Sequence, residues 1–229
     1  MKRPNKWLSL IVWLLPASKA KNAALRALGN TIGHDVSLGP NLVLGCGPFR
    51  IGDRGVIAPF NIFRQMARVE LEKDNFIGRL NQFTSAPSYQ KFSDRAGVLS
   101  MAEQAAVTNR HYFDCSGRIE MGPYSAVGGT RSLLQSHEID IVEDRTTIGT
   151  ITIGERSLTA TACLILKNAA VPPYSLVAAG SVVTASTDAA IGDAGLYAGA
   201  PARWRRDLPE CKWWYRSSYM TPVREVEGF

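Results

Sequence analysis

His34, His111 and His137 are the only side chains in this sequence whose ordinary pKa lies near neutrality. Two of them have carboxylates close by. His137 precedes Glu138 and Asp140, and His111 precedes Asp114. An imidazole beside a carboxylate can serve as a general base, because the acid fixes its tautomer and raises its basicity. His137 with Asp140 is therefore the first candidate for proton abstraction. His111 and Asp114 are candidates for binding a substrate. Asp114 is placed to orient His111, to hold substrate or to serve as a turn residue, and spacing alone leaves open which histidine is the base. His34 reads as a polar corner residue.

The same spacings argue against other chemistry. A three-histidine metal hydratase needs closely spaced ligands, and these histidines are too dispersed, so no metal site is expected. Cys46, Cys115, Cys163 and Cys211 form no CxxC pair. They read as small apolar residues in a reducing compartment. At the other end of the chain Arg203, Arg205 and Arg206 form a basic cluster suited to phosphate.

Groups this far apart in sequence meet only if a regular scaffold brings them together, and a period of six supplies one. Ile153, Thr159, Ile165, Val171, Val177 and Val183 are spaced by six, and Ser157, Cys163, Ala169, Ser175 and Ser181 follow four residues after the first five. The same register runs through Ile32, Leu38 and Leu44, through Ile51, Ile57 and Phe63, and through Leu71, Ile77 and Phe83. It continues in Met101, Val107 and Phe113, and in Met121, Val127 and Leu133. Neither a helix near 3.6 nor a strand near 2 has this period. A short strand and a corner, repeated, does. The expected fold is an all-β solenoid, a parallel β-helix over residues 30–203, with helices at both ends.

Two segments interrupt the period, Thr84 to Ser100 and Glu138 to Thr147, and excursions of this kind collect where ligands bind. The first 29 residues form an apolar and basic helical segment. Within it Ser18 to Leu28 reads as a helix capped by Ser18 and ended by Gly29. Asp207 to Tyr219, in the tail 204–229, reads as a C-terminal helix covering the coil end. The apolar run Trp7 to Leu15, beside Lys2, Arg3 and Lys6, is too short to span a bilayer. With Ser18-Lys19-Ala20 after it, the run could pass for a cleaved signal peptide. Otherwise it fits a helix lying in the headgroup layer or one packed on its own domain. Removing Met1 to Leu15 is expected to leave a folded protein that no longer binds anionic vesicles.

The 229 residues, 45% hydrophobic and 20% charged, suit one globular domain. A formal charge of +6 favours anionic partners, yet the basic residues are scattered, which disfavours nucleic acid.

The Ile/Val hexads followed by Gly or Ala resemble the left-handed β-helix acyltransferases over about residues 30–203. Ala179 to Thr184, followed by Tyr197 to Arg203, is similar to the ending at which that superfamily closes over coenzyme A. Leu133 to Asp140, with Arg145 shortly after, is similar to its catalytic loop. Arg110 to Gly117 is similar to a subgroup that acylates sugars of cell-envelope polysaccharides. The hexad at Leu158 to Cys163 departs from the pattern, lacking the usual Ile-Gly, which puts the cofactor's path there in doubt.

The resemblance implies a left-handed coil, a homotrimer with active sites between neighbouring coils, and acetyl-CoA as co-substrate. It implies an acetyltransferase acting on a sugar or glycan hydroxyl. An acyl-CoA donor implies the cytoplasm, which disfavours a cleaved signal peptide, and the inner face of the membrane if Met1 to Leu15 lie in the headgroup layer. Ala160, Ala179 and Gly180 would hydrogen-bond the pantetheine arm through backbone amides, and Arg203 and Arg206 would meet its phosphates. An N-acetyltransferase on an amino sugar or amine, O-acetyl transfer to an amino acid, and a non-catalytic scaffold are the alternatives.

Overall fold

The structure is a computed structural model describing residues 4–185, 193–208, 210–219 and 221. Each coil consists of three short strands separated by tight corners, and each strand pairs in parallel with its equivalent one coil away. Three sheets result. The first runs from Thr31–Ile32 to Ala170–Val171, the second from Ser37–Leu38 to Gly195–Gly199, and the third from Leu42–Leu44 to Val182–Val183. The chain is a left-handed parallel β-helix, the hand that the family resemblance implies and that the period of six alone does not fix.

The core is the set of residues the period selects. Ile153, Thr159, Ile165, Val171, Val177 and Val183 all point inward and are at most 2% exposed. Two steps slip by one residue. Val43, not Leu44, and Leu134, not Leu133, occupy the interior. Moving one residue along a strand reverses the face, so Leu133 is turned outward, beside the site described below. On the third sheet successive inward positions hold Phe63, Phe83 and Phe113, with ring centroids 4.7 and 4.8 Å apart. Phe49 and Trp13 continue that stack towards the N-terminus.

Corners place residues such as Phe60, Leu80 and Tyr124 at positive φ, between 56° and 69°. Bulky residues seldom adopt this conformation, so closure of the coil, and not local preference, imposes it. A second device runs along the corner between the second and third sheets. The Asn41 side-chain oxygen accepts the Asn61 amide, Asn61 accepts from Asn81, and Asn81 accepts from His111, at 2.8, 2.9 and 2.9 Å. Each buried side chain there satisfies a backbone donor of the next coil that would otherwise lack a partner.

The ends differ in part from expectation. Helix α1 (Lys6–Leu14) is capped by Asn5, and α2 (Lys19–Ala27) by Ser18. Gly29 has a φ of +93°, which suits its place just beyond the end of α2. Trp13 is fully buried, and its carbonyl accepts from the Asn41 amide and from the Lys21 ammonium. Lys21, 1% exposed, also donates to the carbonyls of Leu15, Leu38 and Gly39. Trp13 thus anchors α1 to the core, and the expectation that the segment could be removed without harm is corrected.

Among the described residues of Asp207 to Tyr219 the expected C-terminal α-helix is not formed. Before this segment, Ala202–Arg206 is a strand antiparallel to Gly195–Gly199, and within it Lys212–Tyr215 forms a 3₁₀ turn. The tail from there runs back along the coil. Tyr174 meets Trp214 edge to face, and Tyr219 stacks on Phe76 with centroids 4.8 Å apart. Side chains from several coils hold this segment, so it has no need of internal helical bonds. Met1 to Arg3 and residues 222–229 lie outside the described residues.

Candidate active site

Two stacked strands of the third sheet set the site. Tyr112–Asp114 lies beside Leu133–Gln135, with Asp114 paired to Gln135. Because strand side chains alternate, Phe113 and Leu134 enter the core while Tyr112, Asp114, Leu133 and Gln135 line the outer face. Immediately after this pair the chain leaves the coil as an antiparallel hairpin, His137–Asp140 against Arg145–Ile148. His137 therefore stands at the hinge of the excursion, one coil beyond Asp114.

The consequence is a direct contact between His137 Nδ1 and Asp114 Oδ2. The other carboxylate oxygen of Asp114 accepts from the Ser116 hydroxyl at 2.6 Å and from the Ser116 amide at 3.1 Å. Ser136 ties the two coils together, its hydroxyl donating to the Asp114 carbonyl at 2.6 Å while accepting from the Gly117 amide. Gly117 has to be glycine, since a Cβ there would lie 2.1 Å from the Gly149 carbonyl where the hairpin returns. Asp114 is buried and His137 is about one-third exposed. With Nδ1–H donating to the carboxylate, Nε2 carries a lone pair and is available as a base.

Asp140, expected to orient His137, does not. It accepts the amides of Val142 and Glu143 at 3.2 Å and faces Arg145 at 3.4 Å. These contacts hold its carboxyl below the usual range. It shapes the hairpin turn, because alternation along the strand points it away from His137's partner. Asp114, assigned above to substrate or to His111, is the residue that completes the pair. Asp140 was close in sequence, whereas Asp114 is close only through the stacking of coils.

His111 is likewise reassigned. It is 2% exposed, Nδ1 accepts the Ser132 amide at 3.1 Å, and Nε2 lies 2.9 Å from Thr108 Oγ1. The Thr108 hydroxyl lies within hydrogen-bond distance of the Gly129 and Val127 carbonyls, so Nε2–H of His111 is the donor in its own bond. Both ring nitrogens are engaged, and the ring is a rung of the asparagine ladder, unavailable to substrate or metal. Burial pushes its pKa down to about 4. The folded protein keeps this imidazole neutral where an unfolded chain would protonate it. Stability is therefore lost as pH falls from about 6.5 towards 4, by up to roughly 3 kcal/mol. We expect His111→Asn to preserve the ladder and to abolish that share of the pH dependence, as read from urea unfolding midpoints at pH 7.5 and 4.5. An unaltered pH profile would show that His111 is not buried neutral.

His34 is the corner residue expected, exposed and with its amide bound to Asp53 at 2.7 Å. The cofactor candidates lie on coils beyond His137. Backbone amides of Ala160 and Gly180 donate to Val177 and Thr161, each at 2.9 Å, so they are committed to the coil and not offered to a ligand. Ala179 and Gly180 form an exposed turn. Arg203 is half-buried and Arg206 exposed on the closing strand. The irregular hexad keeps its pairing, with Thr159 opposite Val127, so the backbone path there is undisturbed.

Around His137 lies a cavity of about 740 Å³, lined by Gln82, Arg110, Tyr112, Asp114, Arg131, Leu133 and Gln135 among others. From the first excursion, which leaves the coil after Thr84 and rejoins it at Val98, Tyr89 brings its ring to 5.9 Å from that of His137. Reading the sequence missed Tyr89 and Ser116. Tyr89 was signalled only by lying within the Thr84 to Ser100 excursion, and Ser116 only by lying within the Arg110 to Gly117 stretch.

No protein-family model and no curated relative matches the chain. Solved structures do. A variant of AntD, an N-acyltransferase from Bacillus cereus in complex with dTDP and coenzyme A, is similar at a TM-score of 0.53 and 14% identity, over 83% of this chain and 89% of that one. Another AntD variant, in complex with dTDP-4-amino-4,6-dideoxyglucose and coenzyme A, gives 0.52 and 11%, over 85% and 91%. The polysialic acid O-acetyltransferase OatWY gives 0.52 and 12%, over 87% of each chain. This chain thus has the β-helix fold of the hexapeptide-repeat acyltransferases.

Proposed function

We propose that this protein is an acetyl-CoA-dependent O-acyltransferase acting on a hydroxyl of a sugar or glycan precursor in polysaccharide biosynthesis. The Asp114–His137 pair at the mouth of the groove carries the reading. His137 Nε2 takes the proton of the acceptor hydroxyl as its oxygen attacks the thioester carbon. The buried Asp114 carboxylate stabilises the imidazolium that forms, and as the C–S bond breaks His137 gives the proton to the departing thiolate, which leaves as the free thiol. Exposed Ala179, with Arg203 and Arg206 on the closing strand, would meet the donor, the arginines pairing with its phosphates. AntD and OatWY, which share the fold, are an N-acyltransferase and an O-acetyltransferase. An amino-sugar acceptor is accordingly the second reading, supported by the dTDP-amino-sugar in one AntD complex. The test is release of free thiol from acetyl-CoA over a panel of sugars, nucleotide-sugars and amines. Thiol release only with amines would replace the first reading by the second, and none with any acceptor would overturn both.

The active form is a homotrimer in this reading. The cavity is an open groove, and the hairpin beside it exposes Ile139, Ile141 and Val142 at 69%, 86% and 85%. An apolar hairpin tip of this kind gains by burial against a second copy. Light scattering is expected to give three times the chain mass, and a monomer at micromolar concentration would refute the assembly. The exposed Trp7, Leu8, Ile11, Leu14 and Leu15 of and beside α1, next to Lys6, support shallow contact with an anionic membrane surface, and use of an acyl-CoA donor supports the cytoplasmic face. Among the described residues no helix is long and apolar enough to cross a membrane.

A further inference from the structure

The groove around His137 carries charge that acyl transfer itself does not use. Arg110 and Arg131 line the same cavity as His137. They are equivalent residues on successive coils, since the Arg131 amide donates to the Arg110 carbonyl at 2.9 Å. Their Cα atoms are thus roughly one coil spacing, about 4.8 Å, apart. The Arg110 amide in turn donates to the Arg79 carbonyl at 3.0 Å, and Arg79 with Arg110 lines an adjoining cavity of about 930 Å³. A basic track therefore follows one corner of the coil into the groove.

Among the described residues none of these three arginines has a carboxylate partner. Elsewhere the chain neutralises such positions, pairing Arg50 with Glu70 and Arg54 with Asp74 on the neighbouring coil. The one acid lining the groove, Asp114, is already satisfied by His137 and Ser116. Like charges one coil apart repel, and a guanidinium offers the planar fork that a carboxylate or phosphate fits. Gln82, Tyr112 and Gln135 supply the hydrogen-bonding side chains around it.

We propose that Arg110 and Arg131 bind an anionic group of the acceptor, so that the sugar acylated at His137 bears a carboxylate or a phosphate. The proposal rests on the acyl-transfer reading and names its substrate class. The anion fixes one end of the sugar on the corner and leaves a hydroxyl to meet Nε2 of His137.

The experiment measures binding and turnover separately, with two matched pairs of probes. One pair is an oligosaccharide of a carboxylated sugar and its carboxyl-reduced form. The other is a nucleoside-diphosphate sugar and the free sugar. For wild-type protein, calorimetry is expected to show at least tenfold tighter binding of the anionic member in one pair, and the pair concerned tells carboxylate from phosphate. Arg110→Gln with Arg131→Gln removes that preference while acetyl-CoA affinity stays within about twofold, and the Lys double variant restores part of it. Equal binding of anionic and neutral members overturns the proposal, as does loss of acetyl-CoA affinity in the Gln variant, which would assign the arginines to the donor. Equal kcat/KM on neutral and anionic sugars also overturns it, and leaves the acyl-transfer reading intact. Charge-selective binding with no thiol release from any acceptor supports the anion site and overturns the acyl-transfer reading instead.

Discussion

His137→Ala is expected to lower turnover by on the order of a hundredfold or more while leaving acetyl-CoA affinity nearly unchanged. The imidazole's part is taken in the transition state, when the hydroxyl proton moves to Nε2. Groups used only there add little to ground-state binding of the donor. Asp114→Asn should approach the same loss. An amide in place of the carboxylate can present its NH₂ to Nδ1, turn the ring to the wrong tautomer and leave the imidazolium without its counter-charge. Because the two residues act as one unit, combining both changes should cost little more than His137→Ala alone. Steady-state rates of the three variants with one acceptor, beside calorimetric titrations with acetyl-CoA, decide the matter. Full multiplicativity of the two losses would show that Asp114 does not act through His137. Asp140→Asn, by contrast, should retain most activity, because Asp140 serves the hairpin turn.

Trp13→Ala is expected to destabilise the protein by about 3–5 kcal/mol, the usual cost of emptying a large buried aromatic site. Trp13 is fully buried and its ring lies 4.7 Å from that of Phe49 in a tilted contact, closing the aromatic column at the N-terminal end of the coil. Without the indole, the interior of the first coil opens to water and Lys21 loses the setting in which its ammonium meets four carbonyls. Trp13→Phe separates packing from everything else. It keeps most of the plug and removes an indole N–H that has no acceptor among the described residues, so it should cost less than half as much. Urea unfolding monitored by far-ultraviolet circular dichroism gives both values. A Trp13→Ala protein as stable as wild type would mean that α1 is not part of the core, and that its apolar face serves location alone.

The coil itself was legible because its cause is local and repeated. Every sixth side chain must fill the interior, and a small residue four places on must fit the corner, so composition at fixed spacing announces the fold. Gly29 and Ser18 were legible for the same reason, as helix ends are set by the residues beside them. Slips at Val43 and Leu134 were not, because a corner can take one residue more or fewer without any change in residue type. The C-terminal segment misled more seriously. Its aromatic spacing suits a helix, yet Trp214, Arg216 and Tyr219 find partners on several coils, including Tyr174, Tyr124 and Phe76. Tertiary contacts there overrode a weak local preference.

The site divides along the same line. By itself the sequence determined the solenoid, the point at which it is interrupted, and His137 as the imidazole at that point. Only the tertiary structure decided which carboxylate serves it. Asp114 is 23 residues before His137, and a coil of about that length sets residues one turn apart side by side. Asp140, three residues on, is carried away by the hairpin. The structure also decided that His111 is a rung of an asparagine ladder, since engagement of both ring nitrogens depends on Thr108 and on Ser132 of the next coil. Residue identity states what a side chain is able to do, and the stacking of coils determines what it meets.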